Sequence, residues 1–83
     1  MDKKELQQYY LEAYAEGDRG VIEVLDVWQD RPSTAVMVIV HYPVEDYAYG
    51  FSKANWPDKW DEMRGYNLAV EKAIGKLARR NSD

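Results

Sequence analysis

Eighty-three residues are enough for one domain and too few for two, and a composition 46% hydrophobic and 31% charged belongs to globular chains rather than disordered ones. The absence of cysteine excludes disulfides, zinc–thiolate centres and thiol nucleophiles, and makes a reducing compartment the expected home. The net charge of −4 is unevenly spread: residues 1–50 hold ten acids and four bases, residues 51–83 five acids and seven bases, so the first part repels a phosphate backbone that the second could approach.

Over residues 2–16 the apolar positions Leu6, Tyr9, Tyr10, Ala13 and Tyr14 recur at helical spacing, and Gly17 supplies a C-terminal stop. Gly17-Asp18-Arg19-Gly20 is turn chemistry. Residues 21–29 are largely β-branched or aromatic and predict a first strand. Residues 34–42, the most apolar run, have too few polar positions for one wet face and predict the central strand. Residues 46–52 alternate Tyr47, Tyr49 and Phe51 with Ala48, Gly50 and Ser52, giving a third strand with one aromatic and one small face. Over 57–80 the series Tyr66, Val70, Ala73, Ile74 and Leu77 predicts a long second helix, with Pro57 in its first turn and Gly65 weakening its beginning. The expectation is a single α+β domain over 1–83, in the order α-β-β-β-α, whose three-stranded antiparallel sheet carries two helices on one face.

That order resembles the double-stranded RNA-binding domain over nearly the whole chain, and Gly50-Phe51-Ser52-Lys53 looks like that family's glycine-rich stretch and the start of its lysine cluster. Where the family continues with lysines at the helix start, this chain has Ala54, Asn55, Trp56, Pro57, Asp58, Asp61 and Glu62. The series Gly50, Ser52, Pro57, Asp58, Trp60, Gly65, Ala69 and Ala73 resembles a second pattern, in small uncharacterised bacteriophage and prophage proteins, in which a glycine-containing strand leads through a Pro- and Asp-bearing loop into an alanine-rich helix. This resemblance covers residues 50–77 and implies origin more than activity.

Candidate chemistry is sparse. His41 is the sole histidine and falls in the most apolar strand without a ligand partner at metal spacing, and Ser33, Ser52 and Ser82 lie in turns or the tail, so neither a metal centre nor a nucleophilic triad is expected. Asp58, Asp61 and Glu62 suit the first turn of a helix, where the dipole favours acids without any cation. Trp56 and Trp60 either cap the core or anchor a partner. The row Tyr47, Tyr49 and Phe51 becomes a surface only if Ala48 and Gly50 face the helices. Lys72, Lys76 and Arg79 or Arg80 line one face of the last helix.

These residues predict a non-catalytic protein without cofactor or metal. Its acidic and aromatic surface (Tyr47, Tyr49, Trp56, Asp58, Trp60, Asp61, Glu62) engages a host or phage protein, the concrete version being an inhibitor of a defence nuclease. The alternative is nucleic-acid binding through Lys53, Lys72, Lys76, Arg79 and Arg80. The opening residues lack the apolar stretch of a signal peptide and no run is long enough to span a bilayer, so the expected location is the cytoplasm, that of the host cell if the protein is phage-encoded.

Overall fold

The computed structural model describes residues 1–54 and 61–83. In chain order come α1 (Lys3–Glu16), β1 (Ile22–Asp30), β2 (Ser33–Val40), β3 (Asp46–Lys53) and α2 (Glu62–Asn81), an α+β arrangement in the expected order. The strands form one antiparallel sheet, β1-β2-β3, against which the helices pack. No helix among the described residues is long and apolar enough to cross a membrane.

Each helix end is set by a local device. Asp2 accepts from the Glu5 amide at 2.9 Å and starts α1. Gly17, at φ 72°, ends it in the left-handed conformation, with its amide on the Tyr14 carbonyl and that of Asp18 on the Ala13 carbonyl. The second helix begins at Glu62 rather than at residue 57, because Asp61 is its cap and accepts from the amides of Met63 (3.0 Å) and Arg64 (3.2 Å). Residues 57–60 of the expected helix lie outside the described residues.

The core is built from every second residue of the strands. Thr34, Val36, Val38 and Val40 of β2 and Ala48, Gly50 and Ser52 of β3 turn inward to meet Ala69, Val70, Ala73, Ile74 and Leu77 of α2, with Leu6 and Tyr10 closing the side under α1. Each fully buried Val, Leu or Ile contributes about 1.5–3 kcal/mol. Gly50 sets the spacing. A Cβ there would lie 1.7 Å from the Ala69 backbone oxygen, so helix and strand meet backbone to backbone. Gly65 likewise seats the start of α2 on the sheet: its carbonyl accepts from the Ser52 hydroxyl at 2.6 Å, and a Cβ would come within 2.9 Å of the Thr34 hydroxyl.

Two expectations need correction. The central strand stops at Val40 instead of running to residue 42, because the chain turns into Pro43 and the Tyr42 carbonyl is taken by the Tyr10 hydroxyl. It also has a clear inner and outer face, since Ala35, Met37 and Ile39 are only half-buried between the buried positions. In β1 the pairing shifts between Val24 and Asp26, leaving Leu25 as a bulge. Ile22 and Val24 point inward, but beyond the bulge the parity reverses, so that Val27 pairs with Val36 and Trp28 with Ala35.

Two stability tests follow from this packing. Gly50→Ala should destabilise the fold at or beyond the upper end of the roughly 1–3 kcal/mol range for overpacking, read as a lower urea midpoint, because the clashing atom is backbone and cannot rotate away. A wild-type midpoint would disprove the close approach. Burial pushes the Tyr10 hydroxyl up to about 12, with Asp46 adding to the effect, and pushes Tyr14 up to about 12, with Tyr66 adding to it. An acid whose pKa is higher when folded holds its proton longer in the native state, so its contribution is complete below pH 10 and is lost as the pH rises towards 12. The urea midpoint should therefore fall across that window, less steeply for Tyr10→Phe and Tyr14→Phe. Equal slopes in all three proteins would show that these hydroxyls do not control alkaline stability.

Candidate functional site

Because Ala48 and Gly50 lie under α2, Tyr47, Tyr49 and Phe51 must turn the other way. They are 55%, 52% and 54% exposed. Trp28, brought to the same face by the bulge, is 48% exposed and stacks obliquely on Tyr49, with ring centroids 6.3 Å apart. Tyr47 meets Tyr49 edge to face at 6.2 Å. The outer face is thus ordered in rungs across β1, β2 and β3: Glu23, Ile39 and Tyr47; Asp26, Met37 and Tyr49; Trp28, Ala35 and Phe51; Asp30, Ser33 and Lys53. Three of the four β1 positions are acidic and all the β3 positions are aromatic or basic. Contiguous apolar surface with a polar rim is how soluble domains present contact sites.

The acidic side includes a three-group cluster that the sequence does not advertise. His41, expected to sit in the strand without acidic neighbours, follows the strand instead, with Nε2 3.4 Å from Glu23 Oε2 and Nδ1 3.3 Å from Glu45 Oε2. Glu23 is eighteen residues away and reaches His41 only through the β1–β2 pairing. Among the described residues no group of three or more His, Asp or Glu side chains is placed to hold a metal ion.

The basic candidates are divided by the structure. Lys76 Nζ donates to the Tyr49 carbonyl at 2.8 Å, Arg80 donates to the Tyr47 carbonyl, and Arg80 Nε lies 3.3 Å from Asp46 Oδ2. These two side chains are engaged in covering the free edge of β3, where Asp46 also takes the Tyr47 amide at 2.9 Å. Lys53, Lys72 and Arg79 are exposed; Lys72, Lys76 and Arg79, together with Lys3 and Phe51, border an open groove over Gly75. Of the acids named with the aromatic row, Asp61 is the α2 cap and Glu62 is exposed in its first turn. Trp56, Asp58 and Trp60 lie outside the described residues.

Sequence reasoning found Tyr47 and Tyr49 but gave Trp28 no role. Straight alternation from Ile22 would have buried Asp26 and Trp28, and nothing in the residues around Leu25 announces the bulge. In comparisons of sequence and of fold, the chain matches no family model, no curated protein and no solved structure.

The edge contacts carry their own test. Replacing Lys76 and Arg80 with Met keeps the aliphatic stems but frees two strand carbonyls, at about 0.5–1.5 kcal/mol for each lost bond. The double variant should melt earlier and scatter light sooner on concentration, as an uncovered edge pairs with other chains. If it matches the parent in both, the two side chains do not guard the edge.

Proposed function

We propose that this protein is a non-catalytic binding module whose contact surface is the open face of the sheet and whose partner is another protein. The supporting observation is the exposure of Trp28, Tyr47, Tyr49 and Phe51 on one continuous face while the opposite face is filled by α2. Aromatic side chains provide large contact areas at little entropic cost and dominate interface energetics. The acids Glu23, Asp26 and Asp30 along one margin favour a basic partner and disfavour a phosphate backbone. A host protein with a cationic nucleic-acid site is the partner class that fits this combination, and occupying such a site would inhibit a defence nuclease.

The nucleic-acid alternative has one observation in its favour, the groove bordered by Lys3, Lys72 and Arg79 on the helical side. The two readings meet at Phe51, which also lines that groove, but rest on otherwise different residues and are separable. A photo-crosslinker placed at Tyr49 should join to a single partner that one placed at Glu12 of α1 does not reach. With that partner purified, Tyr47→Ala combined with Tyr49→Ala should weaken binding tenfold or more while the melting temperature stays near that of the parent. Tight duplex binding at physiological salt, lost on Lys72→Glu with Arg79→Glu, would replace this reading with the alternative.

A further inference from the structure

Resting on that reading, we infer that the β1 side of the open face is an arginine-recognition site, built by Asp26, Trp28 and Asp30 with Tyr49 beside them, and that the partner docks a guanidinium there. On an extended strand, residues two apart share a face and stand about 6.6 Å from one another. The bulge places Asp26, Trp28 and Asp30 on the outer face together, so the half-exposed indole is flanked along the strand by two carboxylates. A planar cation laid on that ring has an acceptor within reach on either side.

Three further observations narrow the ligand. Neither Asp26 nor Asp30 is ion-paired among the described residues, whereas Glu23, Glu45 and Asp46 are already engaged with His41 or Arg80. Asp26 uses Oδ1 to accept from the Val27 amide at 2.9 Å, a contact that fixes the carboxylate and leaves Oδ2 for a ligand. Tyr49 tilts against Trp28 at 37° with centroids 6.3 Å apart, so the two rings form one bent apolar floor that holds the indole in place. Guanidinium combines flat stacking on an indole with forked hydrogen bonding to carboxylates and gives up its hydration readily; an ammonium is a strongly hydrated point charge that does neither as well. A phosphate is repelled by the same two acids. Among the described outer-face positions in register across the strands, Lys53 is the one cation that the same face of a second copy would present.

The probe is an acetylated, amidated octapeptide of alternating arginine and valine, compared with versions carrying lysine or the neutral isostere citrulline, added to the intact protein and followed by amide and indole NMR shifts. Arginine should bind at least fivefold more tightly than lysine, citrulline should be weaker still, and the largest shifts should fall on the Trp28 indole N–H and the amides of residues 26–30. Asp26→Asn and Asp30→Asn, isosteric and exposed, should each weaken the arginine peptide about three- to tenfold without moving signals of the core. Equal affinity for the three peptides, or no effect of either Asn variant, would overturn arginine recognition; if shifts then centre on Tyr47, Tyr49 and Phe51, the open face stands as the contact surface with another chemistry. Failure of all three peptides at millimolar concentration would also overturn it, the crosslinking from Tyr49 being the separate judge of the face itself. Outer-face shifts that grow with protein concentration alone would identify a second copy as the occupant and sink the proposal.

Discussion

The contact between Gly50 and the backbone of Ala69 is the constraint on which the arrangement depends. With no side chain between them, α2 settles onto β3 at a distance fixed by main-chain atoms, and the small residues Ala69 and Ala73 extend that close seat along the helix. Once Gly50 is inside, the two-residue period of the strand leaves no choice for Tyr47, Tyr49 and Phe51. The surface is therefore a by-product of the core: three large rings stand outside because one residue without a side chain is required inside. A larger residue at position 50 would push the helix away and loosen the interior, but a register slip that buried the rings would fare worse, because nothing beneath α2 has room for them.

The same helix also settles the sheet's edge. Its cations line one helix face, and by sequence alone a binding stripe was the alternative reading of them. Their stems run along the helix flank to the carbonyls of β3, where a partner strand would otherwise attach, and Asp46 closes the corner by ion-pairing with Arg80 and accepting from Asn81 and the Tyr47 amide. Positive charge is thus drawn into the architecture on the β3 side, whereas the carboxylates of Asp26 and Asp30 form no ion pair among the described residues on the β1 side. The sheet face has an acidic margin on β1, while two bases of the helix, Lys76 and Arg80, are held at the β3 edge.

How much of this was legible depended on whether a feature was local. Helical spacing, the Gly17 stop, the order of elements and the alternation in β3 are all nearest-neighbour patterns, and each placed its element to within a few residues. The start of α2 was misplaced because Pro57, Asp58 and Asp61 all carry helix-start chemistry, and composition does not choose among successive caps. The role of Lys76 and Arg80 needed the helix and strand to be side by side before it had any meaning. His41 was read as isolated because its partner Glu23 is distant in the chain, although Glu45, four residues on, was visible. Trp28 was lost to a single irregularity: a bulge costs the sequence no distinctive residue, yet it inverts the parity of everything after it.

That inversion makes the outer surface unusually sensitive to length. Most substitutions in β1 would exchange one exposed side chain for another and leave its neighbours where they are. Loss of one codon past the bulge, at Val27 for instance, is a different kind of event, since it would rotate the remainder of the strand by half a turn, carrying Trp28 and Asp30 under the sheet and bringing Gln29 out. An indole and a carboxylate would then be pressed towards Val36 and Thr34, both fully buried. Descendants of this chain can therefore vary the chemistry of the β1 margin residue by residue, but its reading frame past the bulge is held by the interior, and a single-residue insertion or deletion there would be selected against as a folding defect before its effect on recognition could be felt.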